Sequence, residues 1–199
     1  MADARTELPF YVEPSDPPSK QELLKAALKL FARDGVRESS IRAVAAEAGF
    51  TNPILFKYFD GKDALALHLF ERCYLRLVRE AMGAIGSAGS FRARLLLLLT
   101  RVLSLLDEAP EALLFVNEEL RRYWPELSAA TRKHSLIAMT RAFFDDPEVT
   151  KAVDRTLLVA GFWGLLGQFA RLHAFGEWRG KAVDAAPHLE ALVWKMLKP

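Results

Sequence analysis

The chain is short of several things at once, and each shortage excludes a class of protein. It has a single cysteine, Cys73, so no disulfide can form within the chain and no Cys-x-x-Cys pair exists. Its four histidines, His68, His134, His173 and His188, stand far apart, which leaves a zinc site without a ligand set. No metal and no cofactor is expected. The longest run without a charge is Thr156 to Ala170, fifteen residues bracketed by Arg155 and Arg171, which is short for a membrane span. The N-terminal stretch holds no apolar segment of signal-peptide length, so the expectation is a cytoplasmic protein with no membrane partner. Gly-x-Ser-x-Gly, Gly-x-Gly-x-x-Gly, a Walker loop and His-Glu-x-x-His are all missing, and nothing argues for catalysis. A large excess of one charge is missing too. The net charge is only +2, so nucleic-acid binding has to rest on one local surface.

Strand-forming runs are scarce. What the chain has instead is Ala, Leu, Arg and Glu in long stretches with helical spacing, and this predicts an all-α fold. Residues 1–18 contain Pro9, Pro14, Pro17 and Pro18 and read as a flexible or extended arm. Ser19 is placed to cap a first helix whose apolar face is Leu23, Leu24, Ala27, Leu28 and Phe31, ended by Gly35. Ser39 and Ser40 offer a cap for a short helix over Ile41 to Ala48, broken by Gly49. Thr51 caps a third helix with Pro53 in its first turn, and Leu55 and Phe59 share a core-facing side. Asp60 and Asp63 have the spacing of a cap for a long fourth helix. Further helices follow, with breaks near Gly86, Pro110, Pro125, Pro147 and between Gly176 and Pro187.

Two short helices joined by a glycine turn, braced by a longer helix before them, match the DNA-binding helix-turn-helix. The local charge agrees. From Pro17 to Lys62 there are eight cationic side chains against five acidic ones. The segments Leu24-Lys-Ala-Ala-Leu-Lys-Leu-Phe31, Gly35, Ser40-Ile-Arg-Ala-Val-Ala-Ala-Glu-Ala-Gly49, Phe50-Thr-Asn-Pro-Ile-Leu-Phe-Lys-Tyr-Phe59 and Lys62-Asp-Ala-Leu65 occur in order. Together they resemble the N-terminal domain of the TetR family, over about a quarter of the chain.

That resemblance implies an N-terminal three-helix helix-turn-helix domain over residues 19–64. It also implies an effector-binding and dimerisation bundle over residues 65–199. The implied partners are a double-stranded DNA operator, a second copy of the chain and a small-molecule effector. The implied function is repression, released from a near-palindromic operator by a small, mainly hydrophobic effector. A constitutive DNA-binding protein without a ligand and an enzyme on a helical bundle are the competing readings. Position by position, Arg42 would reach a guanine edge or a phosphate, or stand as a solvated charge. Thr51 and Asn52 open the recognition helix. Asn52 would pair with adenine or merely cap the helix. Pro53 and Ile54 would meet thymine methyls, and Lys57, Tyr58 and Lys62 would contact phosphates. Phe56 departs from the family's usual tyrosine and loses a hydroxyl there, and Ile54 is bulkier than the small residue usual at its position.

In the second half, Gly161, Gly164 and Gly167 fall within one apolar helical run. Each glycine costs roughly 0.5–1 kcal/mol against alanine in a helix, so three call for a compensating benefit. Either they admit a close helix at the dimer interface, or they widen a ligand cavity beside Phe162 and Trp163. The interface is expected to use helices near Arg155 to Arg171 and Ala185 to Leu197, with Leu189, Leu192, Val193 and Met196 as its apolar residues. The candidates for a ligand pocket are Phe115, Asn117, Tyr123, Trp124, His134, Met139, Trp163 and Gln168, though for each one alone ordinary core packing is the better reading.

Overall fold

The computed structural model describes residues 8–197, which form ten α-helices and no strand among the described residues. They are α1 (Pro18–Asp34), α2 (Ile41–Glu47), α3 (Asn52–Phe56), α4 (Lys62–Ile85), α5 (Phe91–Glu108), α6 (Pro110–Tyr123), α7 (Ala129–Lys133), α8 (Leu136–Phe143), α9 (Arg155–Ala174) and α10 (Ala186–Leu197). The chain divides into two compact units at Cys73 and Tyr74. This is later than the expected boundary at residue 64. The reason lies in α4, whose Leu65, Ala66, Leu69, Phe70 and Cys73 recur at helical spacing and are fully buried.

In the first unit α1 packs on both α2 and α3. Its buried face is Leu23, Leu24, Ala27, Leu28 and Phe31, as the spacing predicts, and Gly35 ends it with φ +84°, a conformation that costs glycine little. Two local expectations fail. The helix begins at Pro18 with Pro17 at the cap position, where an absent N–H is no loss, so Ser19 is not the cap. The expected flexible arm is also only partly present. Residues 1–7 lie outside the described residues. Residues 8–17 are packed: Tyr11 and Val12 are buried, and turns close from Val12 N–H to Pro9 C=O (2.8 Å) and from Asp16 N–H to Glu13 C=O (2.9 Å).

The physical cause is a charge pair that joins residues far apart in sequence. The buried Asp16 carboxylate accepts from the Arg72 guanidinium and pairs with Lys20 at 2.8 Å, while Arg72 also donates to the Tyr11 carbonyl at 3.2 Å. Burial alone would raise the Asp16 carboxyl, but the hydrogen bonds from Arg72 and Lys20 outweigh it and hold the group well below the ordinary carboxylate range.

His68 lies in the same unit, beside the ring of Phe59 at 5.2 Å, and its Nε2 is buried without a partner among the described residues. Burial, then the nearby Arg72 and Lys20, pull its pKa down to about 4 from an ordinary 6.5. A folded-state pKa below the unfolded one means that stability is fully present above pH 6.5 and is lost as pH falls toward 4. Asp16 contributes its own loss only below that window. Chemical denaturation between pH 7 and 4 is therefore expected to show declining stability in the wild type and a flatter profile in His68→Leu, which has nothing to protonate. Identical slopes for the two proteins would show that His68 does not titrate there.

The second unit packs α5 against α6 and α10, and α9 against α6, α8 and α10. Its core is aromatic. Phe91 stacks on Phe143 with centroids 4.5 Å apart, and Phe144 meets Phe162 edge to face at 5.6 Å. Asp107 accepts from the N–H groups of Ala182 (2.6 Å) and Val183 (2.9 Å), which fixes the turn leading into α10, and Arg92 reaches the buried Glu190 carboxylate at 2.6 Å. The break between α7 and α8 has no proline or glycine to announce it. Ser135 makes it by capping α8, accepting from Ala138 N–H at 3.2 Å.

Candidate nucleic-acid interface and ligand cavity

The α2–turn–α3 unit is built from two caps and one glycine. The Ser40 hydroxyl accepts from Ala43 N–H at 3.1 Å and starts α2. Gly49, at φ +76°, turns the chain so that Phe50 N–H reaches the Ala45 carbonyl at 2.8 Å. Val44, Ala45, Leu55 and Phe59 are buried, so the opposite faces of both helices are left outward. Arg42, Thr51, Pro53, Phe56 and Lys57 are exposed, and Asn52, Ile54, Tyr58 and Lys62 are half-buried. Thr51 holds the cap position of α3 without a side-chain cap bond, and Asn52 is the first helical residue rather than the cap. Capping therefore does not account for Asn52.

The charge count becomes more informative once partners are assigned. On α1, Lys20 pairs with Asp16, Lys25 with Glu22, Lys29 with Glu47 and Arg33 with Asp34. Among the described residues Arg37, Arg42, Lys57 and Lys62 have no carboxylate partner. The uncompensated cations of the first unit thus belong to α2, α3 and the segments beside them, where a phosphate backbone would be met. Two of the expected phosphate contacts have structural duties as well. Lys62 donates to the carbonyls of Arg37 (2.9 Å) and Ser39 (2.8 Å), tying the α1–α2 loop to the start of α4. The Tyr58 hydroxyl is 2.7 Å from that of Ser19. Arg37 was not among the expected site residues. It lies outside any helix, so helix-face spacing gives no guide to it. Phe56 is 54 % exposed beside the buried Leu55 and offers an apolar ring where a tyrosine would offer a hydroxyl.

The second unit contains a cavity of about 150 Å³ among α4, α5, α6, α8 and α9. Leu113, Val116, Asn117 and Leu120 line it from α6, sharing one face at i, i+3, i+4 and i+7. Tyr74, Ile137, Trp163 and Gly167 are among its other walls, and no charged residue lines it. Of the eight expected ligand residues, only Asn117 and Trp163 belong to it. Phe115 sits on another face of α6 and Tyr123 a turn beyond the lining stripe, and both are buried in the core. Trp124 lies in the turn after α6. His134 is exposed at the end of α7, and Gln168 is turned outward, accepting from Arg171 at 3.0 Å. Met139 lines a different, open cleft with Met82, Arg94 and Asp146.

The three glycines of α9 do three different things. A Cβ on Gly161 would sit 2.8 Å from Met196 Sδ, so this glycine lets α10 approach within one protomer. A Cβ on Gly167 would sit 2.8 Å from Asn117 Oδ1, at the cavity. Gly164 is exposed, and nothing lies within 4 Å of its Cβ position. The expected interface list for α10 also needs correction. Leu189 and Val193 are buried inside the protomer and Met196 lies against Gly161, which leaves Leu192, 54 % exposed.

Comparison with known proteins agrees with this geometry. A sequence profile described as bacterial regulatory proteins of the tetR family matches residues 23–69. An uncharacterised HTH-type transcriptional regulator, YdgC, of Bacillus subtilis (strain 168) is 25 % identical over 123 residues, 58 % of this chain. The chain spans 63 % of that relative's length, less than two thirds. A TetR-like transcriptional regulator from Rhodococcus sp. RHA1 superposes with a TM-score of 0.74 at 26 % identity, covering 90 % of this chain and 95 % of its own. The transcriptional regulator FadR from Bacillus subtilis, solved in complex with stearoyl-CoA, shares the fold with a TM-score of 0.65 at 16 % identity, covering 87 % of this chain and 97 % of its own.

Proposed function

The chain belongs to the TetR family of bacterial regulatory proteins, and from that premise we propose that it is a homodimeric, DNA-binding transcriptional repressor released from its operator by a small, mainly hydrophobic effector. The observation that carries the DNA-binding reading is the placement of unpaired cations. Arg37, Arg42 and Lys57 lack carboxylate partners among the described residues and lie in or beside α2 and α3, whereas the cations of α1 are neutralised within the protein. An apolar cavity without a charged wall supports an effector of the hydrophobic class. FadR of Bacillus subtilis, which binds stearoyl-CoA, shows the same fold accommodating an acyl ligand. The alternative of a constitutive DNA-binding protein requires a filled second unit, and the cavity favours the ligand-responsive reading.

Dimerisation rests on α9 and α10. Helix α9 is apolar around most of its circumference, the pattern of a helix covered on both sides. Leu157, 65 % exposed, stands with Ala160, Gly164 and Leu172 on the side its own protomer leaves open, and Leu192 of α10 is exposed as well. A second copy is the natural cover, since a twofold pair would also present two recognition helices to one duplex.

Selection of binding sites from a random duplex library, run in parallel on wild type and Asn52→Ala, tests the reading. Wild type is expected to recover a near-palindromic motif. Asn52→Ala is expected to lose about 1–3 kcal/mol of discrimination at one base pair of each half-site. Recovery of the same motif with equal sharpness at every position would remove Asn52 from base recognition.

A further inference from the structure

The cavity of the second unit contains polar groups that are bonded within the protein and one that is not. The Trp163 indole N–H donates to Thr140 Oγ1 at 3.0 Å, and Thr140 in turn donates to the Leu136 carbonyl at 2.7 Å. The Tyr74 hydroxyl accepts from Leu136 N–H at 3.2 Å. Asn117 is the remaining polar wall; it is exposed at the cavity's edge, and its amide has no protein hydrogen-bond partner among the described residues. A free amide offers both a carbonyl acceptor and an N–H donor.

Gly167 bears on the same amide. It is helical and takes the helix penalty of a glycine, yet an alanine there would put a methyl 2.8 Å from Asn117 Oδ1 and 3.6 Å from Nδ2. The missing side chain leaves the amide its present place beside the cavity, and a methyl there would make it turn away. Asn117 and Ile137 are both exposed as well as cavity-lining, so the amide stands at the open side rather than at the sealed end. The volume sets the size of a guest. About 150 Å³ accommodates one six-membered ring. The walls set its charge. With no cationic side chain lining the cavity, a carboxylate seated among its apolar walls would lose water without compensation.

We infer that Asn117 is the specificity-determining group of this cavity, and that its effector class is a neutral, single-ring molecule carrying one hydroxyl or carbonyl group that pairs with the Asn117 amide. This rests on the ligand-responsive reading above and narrows it: a charged acyl thioester is outside the class.

Three probes of one ring size separate the terms: phenol, toluene and benzoate, titrated calorimetrically into the full-length chain. Phenol is expected to bind more tightly than toluene by roughly three- to tenfold, the ordinary net worth of one hydrogen bond, and benzoate is expected to give no measurable heat of binding. Asn117→Leu is expected to erase the preference of phenol over toluene. Gly167→Ala, which displaces the amide while leaving it present, is expected to reduce phenol binding. Benzoate binding as tightly as phenol, an Asn117→Leu preference equal to that of wild type, or no binding of any probe would each overturn the inference. DNA affinity of wild type is read in the same preparations. Sequence-specific DNA binding released by some charged or larger molecule, with no phenol binding, overturns the inference and leaves the regulator reading standing. Absence of sequence-specific DNA binding sinks the regulator reading whatever the calorimetry gives.

Discussion

Replacing Gly164 with leucine is expected to convert dimers to monomers without harming the protomer. Within one chain nothing lies within 4 Å of the Cβ position, so the new side chain meets no intramolecular obstacle. A leucine in place of glycine should even favour the helix by roughly 0.5–1 kcal/mol. Between two copies the same side chain intrudes where Leu157, Ala160 and Gly164 form the exposed stripe of α9. Overpacking of a close contact costs about 1–3 kcal/mol, and a twofold interface meets the change twice, so self-association should weaken at least tenfold. Sedimentation over a concentration series reads the dimer, and thermal unfolding reads the protomer. Gly161→Leu is the contrast: it would strike Met196 inside the protomer and should lower stability itself. A Gly164→Leu protein that remains dimeric at nanomolar concentration would place the interface elsewhere.

The second large effect concerns salt. Arg42 and Lys57 are exposed and lack carboxylate partners among the described residues, and a dimer presents each of them twice. If all four charges neutralise phosphates, the double variant Arg42→Ala/Lys57→Ala should flatten the slope of log K against log salt by roughly 3.6, because each contact contributes about 0.9. Affinity at low salt should fall by several orders of magnitude. Lys62→Ala should flatten the slope less than Lys57→Ala, since the Lys62 ammonium already serves two carbonyls. It should also lower stability, because those carbonyls lose their donor. Fluorescence anisotropy across a salt series separates these outcomes. A double variant with the wild-type slope would remove α2 and α3 from the phosphate contact.

The parts of this structure that were legible from sequence are those governed by neighbours in the chain. The apolar face of α1, the turn glycines Gly35 and Gly49, the Ser40 cap and the inward Leu55 and Phe59 all depend on residues within a few positions of one another. Where the outcome depended on a distant partner, spacing alone was insufficient. The N-terminal segment is packed because Asp16 meets Arg72, which lies 56 positions away. Lys62 reaches back 25 positions to Arg37 and serves as a loop clamp, which spacing alone does not reveal. The cavity shows the same limit. Phe115 and Asn117 are two residues apart on one helix, yet one is core and the other faces the cavity, because which side of α6 meets the cavity is decided by α5 and α9. The glycines of α9 were conspicuous as a group, but their separate uses follow from Met196, Asn117 and open surface, none of which a spacing of three reveals.

Whether two copies of this chain read one duplex through paired recognition helices is decided by sedimentation of the full-length protein on a duplex bearing the selected site, beside one with a single half-site scrambled. Two protomers per intact duplex are expected, with a loss of affinity of several kcal/mol when either half-site is scrambled. One protomer per duplex, with affinity indifferent to the scrambled half, would contradict it.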